Sequence, residues 1–386
     1  MKQDVGFLPH SALQSLLDGL QGAGYRCIGP TVRDGAIVFD ELNSVAALPQ
    51  GITDAQVPGK YRLTQTDSPR YFAWANGPQA LKPLVFAPHE TLWSCEQNEK
   101  GEIKFQVPES ESQPIAVLGV RPCDLAALYI HDQHFLQQQF QDPYYLARRQ
   151  QLFLVAVNCT HPADTCFCAS TGDGPRAHFG YDLVLTELDE GFVIEAHSEP
   201  GKLQMQRLTL LEITTKQLQQ VDVAMEQAAK AQQRRLPSRN LNQALFANLD
   251  HPQWAAIGER CLSCGNCTSV CPTCFCHKAA ETPELKGDVS THSREWDSCF
   301  TQGHSYIHGM TIRADTTKRY RQWLTHKLGS WHEQYGRSGC VGCGRCVTWC
   351  PVGIDITDEV AAICGEPSVS GDPFANGNPS AEAKAT

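Results

Sequence analysis

The chain has 386 residues, 41% hydrophobic and 19% charged, ordinary for a globular protein and enough for two or three domains with real cores. A net charge of −10 and a pI of about 5.8 argue against a nucleic-acid binder. No run of 18 apolar residues predicts a membrane span. The first residues show neither a signal-peptide core nor a twin-arginine motif, so the expected location is cytoplasmic.

The first 237 residues read as a mixed α/β domain. Residues 10–23 have the spacing of an amphipathic helix, and 35–40 and 83–86 read as short strands. An apolar, β-rich run at 114–120 ends at Arg121-Pro122-Cys123-Asp124, and a helix is predicted over 125–135. Residues 152–157 read as a buried strand ending at Asn158-Cys159. Residues 182–188 and 192–196 flank Asp189-Glu190-Gly191 and predict a hairpin. From 214 to 236 the pattern is helical and rich in Gln, Ala and Lys, until Pro237-Ser238 breaks it and marks a linker. A second domain is expected over 241–365. The residues from 366 to 386, rich in Gly, Pro, Ser, Ala and Asn, read as a disordered tail.

Two runs in this second domain carry the chemistry. Cys261, Cys264, Cys267 and Cys271 precede Pro272, and Cys340, Cys343, Cys346 and Cys350 precede Pro351. Each is C-x2-C-x2-C-x3-C-P, the run that holds [4Fe–4S] clusters in bacterial-type ferredoxins, where the fourth Cys ligates the other cluster. Crossed ligation predicts one cluster on Cys261, Cys264, Cys267 and Cys350, and a second on Cys340, Cys343, Cys346 and Cys271. Structural zinc also takes four thiolates, but usually from two well-separated pairs, so a three-plus-one run tells against it. Gly265, Gly342 and Gly344 lie inside these loops, where glycine permits close backbone approach. The 68 residues between Cys271 and Cys340 include helix-like stretches such as 320–328. A compact ferredoxin has no such insert, so an α-helical ferredoxin domain is expected. The fold class is thus α+β, with a C-terminal α-helical ferredoxin-type two-cluster domain.

Ten of the eighteen cysteines lie outside these runs, and without an export signal they read as reduced thiols. Cys27, Cys95 and Cys364 are isolated and read as small buried hydrophobes. Cys123, Cys159, Cys166 and Cys168 sit at or just after predicted strand ends, where α/β domains gather ligands. They are candidates for a third [4Fe–4S] cluster, against a bland reading as unligated thiols. Cys274, Cys276 and Cys299 make three more near the first run, one short of a set, with His277 adjacent. Asp124 is expected to cap the helix that follows it, or to pair locally with Arg121.

Arg121-Pro122-Cys123-Asp124, Asp142-Pro143-Tyr144-Tyr145, Cys166-Phe167-Cys168, Cys271-Pro272-Thr273-Cys274-Phe275-Cys276, Trp296-Asp297-Ser298-Cys299 and Cys340-Val341-Gly342-Cys343-Gly344-Arg345-Cys346 occur in this order. Together they resemble the iron–sulfur beta subunit of cytoplasmic sulfhydrogenases, the NAD(P)-linked [NiFe] hydrogenases. The electron-transfer subunit of anaerobic sulfite reductase belongs to the same family. The likeness spans roughly residues 80–356. It implies an electron conduit between a flavin subunit that carries FAD and handles NAD(P)H and a catalytic module. That module is a [NiFe] hydrogenase with small and large subunits or, as the alternative, a sirohaem sulfite reductase subunit.

No G-x-G-x-x-G after a predicted strand, no P-loop, no G-x-S-x-G and no H-E-x-x-H occur, so no bond-making active site is expected in this chain. Two rival readings make different forecasts. A zinc-stabilised adaptor would hold zinc and no iron. A self-sufficient enzyme would carry a flavin or deazaflavin in its N-terminal domain.

Overall fold

The computed structural model describes residues 4–108 and 113–366. Its centre is a seven-stranded sheet. Four parallel strands, Arg26–Arg33, Ile115–Val120, Leu152–Val157 and Leu183–Glu187, form the middle. Ala36–Glu41 pairs antiparallel on one edge, and Gly191–Ala196 followed by Val5–Pro9 on the other. Leu152–Val157 reads Leu-Phe-Leu-Val-Ala-Val because both of its faces are covered. Phe153, Val155 and Val157 face one core with the helix Leu13–Gly22, which contributes Leu13, Leu16, Leu17 and Leu20 at helical spacing. Leu154 and Ala156 face the other core with Leu125, Leu128 and Phe135 of the helix Pro122–Phe135.

Most predicted elements are present. The helix expected over 214–236 is Thr215–Ala231, started by a reciprocal capping box between Thr214 and Gln217. The predicted strand at 83–86 is instead one helical turn, Lys82–Val85. Pro83 sits in its first turn, where a missing N–H is harmless, and no strand lies beside it.

The insert between the cysteine runs is only half helical. Its first half forms strands His277–Pro283 and Val289–Trp296. They join His89–Gln97 and Ile103–Gln106 in a four-stranded antiparallel sheet, so strand pairing crosses the linker at 237. The second half carries the helices Thr316–Thr325 and Trp331–Tyr335, and the first of these packs Tyr320, Trp323 and Leu324 into the C-terminal core. Phe167, from the N-terminal half, is fully buried in that same core. The structure therefore combines a mixed α/β unit with a ferredoxin-type unit, as expected, with a β-sheet stitched across both. Of the expected tail, all but Glu366 lies outside the described residues. No helix among the described residues is long and apolar enough to cross a membrane.

Candidate functional site

The two cysteine runs fold as tight loops, each leading into a single helical turn, Asn266–Ser269 and Arg345–Thr348. Gly265 and Gly344 cap these turns in the left-handed region, at φ 75° and 73°. At Gly342 and Gly344 the absent side chain also matters for docking. A methyl group there would run into the backbone of Cys168 and Thr165 respectively. Phe167 N–H donates to the Gly342 carbonyl at 2.8 Å, and the Thr165 and Thr348 hydroxyls lie 2.8 Å apart. The second run is thereby clasped against the first Thr-Cys-Phe-Cys tetrapeptide.

Cys261, Cys264 and Cys267 line one cavity, and Cys346 and Cys350 of the other run line it with them. Phe300, Tyr320, Trp323, Ile354 and Ile356 make its walls apolar, and Cys264 stands at the surface. Backbone N–H groups already point at the sulfurs: Ser263 at Cys261 (3.4 Å) and Ile354 at Cys350 (3.3 Å). Such donors tune cluster potentials.

Cys271 is the electrostatic neighbour of Cys340, Cys343 and Cys346, and Cys346 also neighbours Cys267 of the first run. Gly342 N–H donates toward Cys340 Sγ at 3.4 Å. Burial raises most of these thiols, Cys340 to about 12. Cys271 goes the other way. The Cys274 thiol donates to it, and the Lys327 ammonium and the Thr273 hydroxyl add to the pull.

Cys123, Cys159, Cys166 and Cys168 line a separate cavity, the third site, at the C-terminal ends of the strands Ile115–Val120 and Leu152–Val157. Burial raises all four thiols, Cys168 to about 12. A buried thiol ionises only against a compensating positive charge, which bound iron supplies. Arg121 also lines this cavity and is 1% exposed. It donates to the carbonyls of Phe72 (2.9 Å) and Trp74 (2.6 Å), while its Nε has no partner. Among the described residues it pairs with no carboxylate. A buried guanidinium beside four thiols, with an unspent donor, fits an anionic group between them.

The local roles expected for Asp124 are not found. The residue before the helix is Arg121, without a side-chain cap, and Arg121 does not pair with Asp124. Asp124 instead meets Arg345 of the second cysteine run in a buried, two-pronged pair, both contacts at 2.9 Å, and accepts from Asn76 at 2.6 Å.

Cys276 lies beside both Cys274 and Cys299. Cys274 lies against Cys271, and Cys299 neighbours both Cys276 and Cys267. Their adjacent histidine is not His277, which is exposed beside the Phe275 carbonyl. It is His304, whose Nδ1 lies 2.6 Å from Asp297 and which Cys276 and then Asp297 raise to about 9. Among the described residues, no three His, Cys, Asp or Glu side chains are placed to hold a single metal ion. The thiols of the first and third sites stand around cavities, as ligands that each take a different iron would.

Two features escaped the sequence reading, Lys82 and Lys327. Both are buried near Cys271. The signal was present at Lys82, the one charge in the run Ala80-Leu81-Lys82-Pro83-Leu84-Val85-Phe86. Lys327 sits in a helical run of alternating character and carried none.

Residues 260–354 match the family described as a 4Fe-4S dicluster domain. Along 341 residues the chain is 28% identical to sulfhydrogenase 2 subunit beta of Pyrococcus furiosus, covering 87% of this chain and 92% of that protein. No solved structure matches it. The chain thus carries a 4Fe-4S dicluster domain and is similar along most of its length to a sulfhydrogenase beta subunit, which supports an iron–sulfur electron-transfer protein.

Proposed function

We propose that the chain is a three-cluster wire within a cytoplasmic, multi-subunit oxidoreductase. Its units are 1–237 and 241–365. A flavin subunit carrying FAD exchanges electrons with NAD(P)H at one end, and a [NiFe] hydrogenase module lies at the other. The observation that carries this reading is the order of the three sites. Cys346, assigned to the second site, also lines the first cavity, and Cys343 of the second site also lines the third. The middle site therefore shares a wall with each neighbour, which suits serial electron transfer.

The residues present fit the clusters. Cys261, Cys264, Cys267 and Cys350 would hold the first, and Cys340, Cys343, Cys346 and Cys271 the second. Cys123, Cys159, Cys166 and Cys168 would hold the third. When bound, each cluster accepts or gives one electron. The chain's own residues space the sites, exclude water from the middle one, and supply N–H donors to the sulfurs.

The test is iron and acid-labile sulfide per chain on anaerobically purified protein. About twelve of each supports three sites, about eight removes the third, and zinc without iron sinks the reading. The terminal partner is tested on complexes purified through a tagged chain. Hydrogen-dependent reduction of NAD(P)+ supports the hydrogenase. Sulfite-dependent oxidation of NAD(P)H would favour anaerobic sulfite reductase instead.

A further inference from the structure

We propose that Lys327 and Lys82 are the built-in counter-cations of the middle [4Fe–4S] site and hold its reduction potential above the value its four cysteines alone would give. The proposal rests on the reading that Cys271, Cys340, Cys343 and Cys346 bind a cluster.

Burying an ammonium group costs several kcal/mol unless an opposite charge compensates it. Lys82 and Lys327 are 5% and 3% exposed, and they are the two buried lysines among the described residues. Neither pairs with a carboxylate there. Lys327 Nζ donates to Thr273 Oγ1 at 2.7 Å and lies 4.9 Å from the centre of the Trp331 ring. The Thr273 hydroxyl in turn lies 3.2 Å from Cys271 Sγ. That hydroxyl donates its one hydrogen to the Gly339 carbonyl at 2.7 Å, so it holds the ammonium beside the sulfur without relaying a hydrogen bond to it. Lys82 reaches the segment just before Cys271. Its Nζ donates to the Ser269 carbonyl at 3.0 Å and lies 3.8 Å from the centre of the Trp296 ring. Ser269 is two residues before Cys271.

Carbonyls and aromatic faces orient these ammonium groups but do not neutralise them. The remaining negative charge within reach is that of the sulfurs. Reduction adds one more negative charge, so a nearby cation stabilises the reduced form more than the oxidised one. The first site differs. Its walls are apolar, and the nearby Arg260 is already paired with the buried carboxylate of Glu359 at 2.5 Å. The asymmetry places compensating charge at the middle of the wire.

The experiment is an EPR-monitored redox titration of the anaerobically purified full chain and of its Lys327→Met, Lys82→Met and Lys327→Arg variants. Iron and sulfide are counted for each, and the middle-site signal is the one altered by Cys340→Ser. Each Met variant is expected to keep its iron and to make the middle cluster at least tenfold harder to reduce. That is a fall of about 59 mV for a one-electron couple. The first-site signal should move less, and Lys327→Arg should stay near the parent. An unchanged middle-site potential in Met variants with full iron overturns the proposal and leaves the cluster assignment standing. If Lys327→Met loses iron, Lys82→Met decides in the same titration. A parent chain without a middle-site signal would instead overturn the cluster reading itself.

Discussion

Arg345 and Asp124, 221 positions apart in sequence, form a fully buried two-pronged ion pair between the second cysteine run and the helix behind the third site. Arg345 also donates through Nε to the Gly77 carbonyl at 3.0 Å. Removing one partner leaves the other charge buried and alone, which costs about 3–5 kcal/mol. Asp124→Asn and Arg345→Met should therefore each lower the denaturant midpoint strongly. The double variant should cost much less than the sum of the two. Additive losses would show that the pair does not act as a unit.

Crossed ligation makes a directional forecast. Cys350→Ala should remove about four irons from the site of Cys261, Cys264 and Cys267 and spare the site formed by the rest of its own run. EPR of the reduced variant checks which signal disappears. Loss of the signal that Cys340→Ser also alters, with the other intact, would reverse the assignment.

The third site is separable from the other two. Cys159→Ser should lower iron by about four per chain and leave the other two EPR signals in place. Cys27→Ser is the control, because Cys27 is a buried thiol that packs among apolar side chains of the sheet core. Equal iron in both variants and the parent would reduce the third cavity to structural thiols.

Acid should weaken the fold before it reaches the carboxylates. Burial lowers His134 and His326 to about 4, with His277 and Lys327 respectively adding to the effect, and lowers His131 to about 3. In the unfolded chain these groups titrate near 6.5. Between about 4 and 6.5 the unfolded state binds more protons, so stability is present above 6.5 and is lost as pH falls through that window. Each group contributes a slope of up to about 1.4 kcal/mol per pH unit. Anaerobic denaturation of the parent between pH 7.5 and 5.5 should show the decline, and His134→Gln should flatten it. A variant with the parent's slope would remove His134 from this account.

The parts of the site most legible in the sequence were those whose ligands sit close together in the chain. C-x2-C-x2-C specifies a loop almost by itself, and the trailing Pro and inserted Gly residues confirm its shape. The central strands were legible too, because Leu152–Val157 and Ile115–Val120 are apolar without interruption. What stayed hidden depends on distant partners. The strand His89–Gln97 is largely polar and finds its place by pairing with Val289–Trp296, some two hundred positions on. Asp124 looked like a helix cap because helix starts favour aspartate, and nothing local announced Arg345. Lys327 shows no local pattern that would mark it as buried.

The clasp of Phe167, Gly342 and Gly344 has a consequence for how this chain can be divided. Residues 241–366 have the motif of a portable ferredoxin cassette, yet that cassette leaves behind Asp124, the Thr165–Cys168 loop against its glycines, and the phenyl ring in its own core. Cut free, it would carry an uncompensated arginine and a hole the size of a benzene ring. The module and its cradle are one inheritance, and transplanting the wire into another scaffold means moving both.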